Sequence, residues 1–167
     1  MALRLHHCLV LLFFFVVLAG CEDRRADKAY LRGDYESAAR ELKFLANKGE
    51  ARAQYDLAVM YDKGQGVPQN NEEAAKWYER AAEQGEPRAQ YNLGLMYMNG
   101  QGLPRSLPRA YYWVSLSARH GDEHAVDAKD YLTQRMTREE MSHARALLLE
   151  HDKNSNDVSV DQLHLTH

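Results

Sequence analysis

The sequence predicts an all-α chain assembled as a short solenoid of antiparallel helix hairpins, and three observations carry that expectation. The first is self-similarity at an offset of 36 residues: 15 of the 35 positions from Arg52 to Glu86 are identical to the positions 36 later. Arg52, Ala53, Gln54, Tyr55, Leu57, Met60, Tyr61, Gly64, Gln65, Gly66 and Pro68 recur as Arg88, Ala89, Gln90, Tyr91, Leu93, Met96, Tyr97, Gly100, Gln101, Gly102 and Pro104. A fixed period of roughly 20–50 residues marks a repeat architecture, in which each unit buries its apolar face against its neighbours. The second is helical spacing of apolar residues within each copy. The third is the punctuation: a Gly-x-Gly pair supplies the positive-φ freedom that ends a helix, and the following proline prevents its resumption.

The elements follow in chain order. Residues 1–20 read as a secretory signal: Arg4, His6 and His7 precede an unbroken apolar run from Leu9 to Ala19 that closes at Gly20. That run is about half the roughly 20 residues a membrane-spanning helix needs, and Glu22, Asp23, Arg24 and Arg25 end it abruptly. Residues 21–50 form a partial helical repeat, because Ala38, Ala46 and Gly49 stand 36 residues before Ala74, Ala82 and Gly85. Residues 51–86 make the first full unit. Ala53, Leu57 and Tyr61 share one helical face, Asn70 or Asn71 caps a second helix, and Ala74, Trp77, Tyr78, Ala81 and Ala82 give that helix its apolar side. Alanines there let two backbones approach closely while the aromatic rings fill the gaps.

Residues 87–122 repeat this unit. Residues 123–151 form a terminal helix pair, with Ala125, Ala128, Tyr131 and Leu132 on one helix and a capping box from Thr137 to Glu140 opening another through Leu149. Residues 152–167 read as a frayed tail, or as a short strand or docking peptide from Val158 to Leu165.

Composition and motifs exclude several functions. Lys and Arg total 21 against 24 Asp and Glu, a net charge of −3 with no clustered cation surplus, which argues against nucleic-acid binding. The sequence contains no Gly-x-Ser-x-Gly, Ser-x-x-Lys, His-Glu-x-x-His or Cys-x-x-Cys motif and no phosphate-binding loop, so no catalytic residue, no metal and no cofactor is expected. His120 and His124 are four apart, but Gly121 between them breaks the shared helical face that joint capture of a metal requires. His143 and His151 have no carboxylate or cysteine to complete a coordination shell and read as surface or cap residues. Glu72 and Glu73 form an acidic first turn that complements the helix dipole. The rows Tyr55 and Tyr91, Tyr61 and Tyr97, and Trp77 and Trp113 suit core packing better than a sugar-stacking platform, because each recurs with its helical partners.

Two resemblances add to this reading. Leu18, Ala19, Gly20 and Cys21, directly after an apolar run, resemble the lipobox of bacterial lipoproteins; the resemblance implies that Cys21 becomes the first mature residue and carries diacylglycerol on its sulfur. Loss of Cys8 with the signal would leave Cys21 alone in an oxidising envelope, and acylation would consume it. Several acyl chains, at about 0.8 kcal/mol per buried methylene, anchor a protein stably where one does not. The alternative is an ordinary cleaved signal.

The repeat itself is similar to the Sel1-like repeat, a relative of the tetratricopeptide repeat. The likeness rests on the Ala-x-Tyr-x-Leu start, the Gly-x-Gly turn, Trp77 and Trp113, and the closing Gly85 and Gly121. Residues 21–50 look like a compact tetratricopeptide-type hairpin. The second copy departs at Pro108 and Arg109, which replace the acidic helix start, and at Val114 and Ser117 in place of Tyr78 and Ala81, which should soften packing there. The resemblance implies a right-handed superhelix that binds protein partners along its concave surface and performs no chemistry. If the first helices line the inner wall, as in tetratricopeptide proteins, Arg52, Asp56, Val59, Arg88, Asn92, Leu95 and Met98 form the partner-binding groove. The expected role is an envelope adaptor or scaffold, periplasm-facing and held to a membrane through Cys21, whose partner is an envelope protein or peptide. A binder or hydrolase of peptidoglycan fragments or β-lactams and a structural oligomer-forming lipoprotein are the alternatives, and the absence of repeated disulfide cysteines weakens the first of them.

Overall fold

The computed structural model describes residues 25–164, with side chains as far as residue 155. Residues 1–20, expected to be a signal, and Cys21 lie outside the described residues. Eight helices and no strand occur among the described residues. The described residues fall into two compact units that divide after Ala81.

The first unit contains α1 (residues 25–31), α2 (Tyr35–Asn47), α3 (Ala51–Lys63) and all but the last two residues of α4 (Asn71–Glu83). Asp34 caps α2: its Oδ1 accepts from the Ser37 amide at 3.1 Å, and the Ser37 hydroxyl, with that amide second, holds the Asp34 carboxyl below its ordinary pKa. Helix α2 packs on α3, burying Ala38, Ala39, Leu42, Leu45 and Ala46 on one side and Ala53, Leu57, Ala58 and Met60 on the other. Leu45 and Leu57 are fully buried, and each contributes about 2 kcal/mol, roughly twice what a helix cap supplies. The seam therefore outweighs the caps in holding the hairpin.

Helix α3 stops at Gly64, left-handed at φ +67°, as the punctuation predicts. Its turn is fixed to α3 by the Asn70 amide on the Tyr61 carbonyl at 2.9 Å and by Gln69 Nε2 on the Asp62 carbonyl at 2.8 Å. Gly66 is required for a second reason. A Cβ there would lie 2.1 Å from the Tyr35 carbonyl oxygen, so the turn presses its backbone against the start of α2. Of the two expected caps for α4, Asn70 is the one used; its Oδ1 accepts from the Glu72 and Glu73 amides.

The second unit contains α5 (Pro87–Asn99), α6 (Leu107–Ala118), α7 (Glu123–Thr133) and α8 (Arg138–His164). Helix α6 is its centre and packs on α5, α7 and α8, with Ala110, Trp113, Val114, Leu116 and Ser117 buried. The turn chemistry of the first unit recurs: Gly100 ends α5 at φ +71°, and the Ser106 amide bonds the Tyr97 carbonyl at 2.9 Å. Ser106, 36 residues after Asn70, caps α6 on the Arg109 amide, so the lost acidic start costs no cap. Asp122 caps α7, and Thr137 with Glu140 forms the reciprocal capping box that the sequence predicts.

Three expectations need correction. Packing at Val114 is not soft, because Gly94 replaces Ala58 opposite it and the helices close in; a Cβ on Gly94 would lie 2.5 Å from Val114 Cγ2. The chain does not fray at residue 152, and residues 158–164 are not a strand: α8 continues through His164. At residues 151 and 152 the helix is tied down from the other side: Arg119, the C-cap of α6, bonds Asp152 through two hydrogen bonds of 2.5 and 3.0 Å, and Tyr112 of α6 meets His151 edge-on at 6.0 Å. Finally, Tyr55, Tyr61 and Tyr91 are half-buried rather than core, whereas Trp77, Tyr97 and Trp113 are buried as expected.

Candidate functional site

The first helix of each repeat buries Ala, Leu and Met on one side and leaves a partly polar side outward, and each unit has recesses along that outward side. In the first unit Arg52, Asp56 and Val59 of α3 converge on a cavity of about 290 Å³. Tyr55 and Met60 join them from α3, Leu42 from α2, and Ala26, Asp27 and Tyr30 from α1. Arg52 Nε stands 3.8 Å from Asp56 Oδ2 one helical turn on, an exposed pair worth about 0.3–0.5 kcal/mol. It orients the two charges at the rim more than it stabilises the helix. The Tyr55 ring leans on Tyr78 at 5.8 Å, and the Tyr30 hydroxyl donates to Gln65 Oε1 at 3.1 Å, so both aromatic walls are held in place.

In the second unit Met98 lines two recesses. One, of about 280 Å³, is bounded by Tyr91, Met98, His124, Asp127, Ala128 and Tyr131. The other, of about 270 Å³, is bounded by Met98, Asn99, Arg105, Leu107, Tyr131, Leu132 and Arg135. Met98 and Tyr131 border both. The Tyr91 ring lies 6.5 Å from the His124 ring, and burial pushes the Tyr91 hydroxyl pKa up. Tyr131 is 46% exposed with the Arg135 guanidinium stacked at 3.6 Å.

Of the seven groove residues expected from sequence, the structure gathers Arg52, Asp56 and Val59 in the first unit and places Met98 between the two recesses of the second. Arg88, Asn92 and Leu95 line neither of those two recesses. Arg88 Nε is drawn to Glu86 Oε1 at 2.8 Å, and Asn92 and Leu95 are half-buried on α5. Sequence reasoning missed Tyr55 and Tyr91 as wall residues, since repetition alone does not separate a core ring from a rim ring. Arg105 and Arg135 were also missed; the departure of Arg105 from its first-repeat counterpart Gln69 was the available signal.

The histidines behave as separate side chains. His120 lies in the turn after α6, His124 is in α7 beyond Gly121, and His143 is exposed on α8. Among the described residues no three His, Cys, Asp or Glu side chains converge where they could hold a metal ion. No helix among those residues is long and apolar enough to cross a membrane.

Helix hairpins repeated every 36 residues, with like bonds at like positions, define an all-helical repeat protein of the α-solenoid class. The Sel1 repeat family model matches residues 51–86 and 87–122, so the chain carries two Sel1 repeats. It is similar to the crystal structure of a protective antigen present in uropathogenic Escherichia coli strains, which displays an SLR fold: TM-score 0.74 and 24% identity, over 87% of this chain and 33% of that one. It is also similar to a Sel1 repeat protein from Oxalobacter formigenes: TM-score 0.62 and 32% identity, over 75% of this chain and 54% of that one. The chain thus spans about a third and about half the lengths of these two structures. No curated protein matches it.

Proposed function

We propose that this chain is a non-catalytic adaptor of the bacterial cell envelope, anchored by acylated Cys21, whose first repeat helices hold a segment of a partner protein near the membrane. The observation that carries this reading is the recess in the first unit, where Arg52, Asp56 and Val59 come together beside Tyr30 and Tyr55. A wall of half-buried aromatic and aliphatic groups with charged residues at its rim is the composition of protein interfaces. The cavity is too small for a folded domain and suits side chains of an extended or helical segment. The Sel1 repeats give this reading its class, because such repeats generally mediate protein–protein interaction.

The test is in-cell crosslinking of the full-length protein carrying photo-reactive side chains at Asp56, Asn92 and Met98, read out by mass spectrometry. One dominant protein adduct, reduced by Val59→Asp, supports the adaptor reading. Labelling by glycan or lipid alone, or no adduct at any of the three positions, overturns it.

A further inference from the structure

We infer that the recess between the end of α5 and α7 in the second unit receives an acidic side chain of the partner segment, its carboxylate taken by Arg105 and Arg135. This deepens the adaptor reading and rests on it.

The recess is lined by two arginines and one asparagine and by no carboxylate, with Met98, Leu107, Tyr131 and Leu132 as its apolar wall. Neither arginine makes an ion pair with an acidic group among the described residues, and each is already oriented. Arg105 donates through Nε to the Met98 carbonyl at 3.0 Å, which leaves both terminal nitrogens unspent. The Arg135 guanidinium carbon lies over the Tyr131 ring, 3.6 Å from its centroid, a contact through the ring face that spends none of its N–H donors. A guanidinium held by a backbone bond or a ring presents its donors in a fixed fork, the geometry that recognises a planar carboxylate.

The first repeat shows what is extra here. At the corresponding position Gln69 donates to the Asp62 carbonyl at 2.8 Å, the same tether that Arg105 makes to Met98. The turn therefore needs only an N–H donor, which glutamine supplies. The second repeat replaces Gln69 by Arg105 and Asp62 by Met98, adding a cation and removing an anion at one spot without changing the tether. In the adjoining recess Tyr91, Met98, Ala128 and Tyr131 continue the apolar wall beside His124 and Asp127, so an apolar residue can flank the acidic one there while the Asp127 carboxylate disfavours a second acid.

The test titrates the full chain with N-acetyl-Leu-Glu-Leu-amide and its Gln counterpart, following the side-chain Nε–H signals of Arg105 and Arg135 by NMR. The expected result is that the Glu peptide shifts both signals and binds at least about tenfold more tightly than the Gln peptide. Arg105→Gln and Arg135→Gln should each remove that preference, and Arg105→Gln should leave the melting temperature unchanged because the tether survives. Equal binding of the two peptides, binding of neither, or the same response to acetate at equal concentration overturns the inference. Crosslinks at Asp56 and Asn92 that persist undiminished in the arginine variants would also overturn it while leaving the adaptor reading intact. A Glu preference found without any protein crosslink would instead overturn the adaptor reading and keep the recess as a carboxylate site.

Discussion

At the scale of single residues, the backbone sets the strictest demands. Gly66 and Gly85 both hold positive φ, but a Cβ on Gly85 meets nothing within 4 Å, whereas one on Gly66 meets the Tyr35 carbonyl. Alanine at Gly85 should therefore cost only the left-handed strain, about 1–2 kcal/mol. Alanine at Gly66 should cost more, because two backbone segments must move apart as well. Denaturant melts of the two variants check this, and equal losses would show that the turn can shift without resistance. Gln54 and Gln90 illustrate a different demand. Each is buried and donates to a carbonyl eight residues earlier, Ala46 and Ala82, at 3.1 and 3.2 Å. Their repetition was visible in the sequence. Their purpose was not, because the bond exists only once two helices have already met.

At the scale of the helix, α8 is held by charge as well as by packing. The Arg119 guanidinium beside Asp152 holds that carboxyl below its usual pKa, and the bond raises the pKa of Arg119. A carboxyl depressed in the folded state stabilises above its unfolded pKa, about 3.9, and that contribution is lost as pH falls through the folded value. Asp152→Asn should accordingly lower the melting temperature at pH 7, and the gap from the parent should close below about pH 4. Melting curves across that range decide it, and a gap that persists at low pH would assign the effect to packing of the side chain instead. Sequence reasoning placed the helix starts well, since Asn70, Thr137 and Glu140 act within a few residues of the amides they cap. It ended α8 too early because the partners Arg119 and Asp152 are 33 residues apart and neither carries a local mark.

At the scale of the whole molecule, the period made the fold class legible, whereas the residues that gather around the candidate recesses were legible only in part. Arg52, Asp56 and Val59 were identifiable because they fall at outward positions of a repeated helix. Arg105 and Arg135 come from two turns, the one after α5 and the one after α7, and no single-helix pattern joins them. The proposed acyl anchor has to be tested on the intact protein: if Cys21 carries it, Cys21→Ser should abolish labelling by a fatty-acid probe and move the protein from the membrane to the soluble fraction. Retention on the membrane without label would point to attachment through a partner.

The glutamine bonds have a wider consequence. Each joins the opening of one hairpin to the last turn of the helix before it, with both groups inside a stretch that the period reproduces. A duplicated copy of 36 residues would arrive with its own fastening, ready for whichever copy precedes it. Lengthening or shortening such a chain by whole copies is therefore a small step for a gene to take, and lineages can change how far the protein reaches without inventing a new joint.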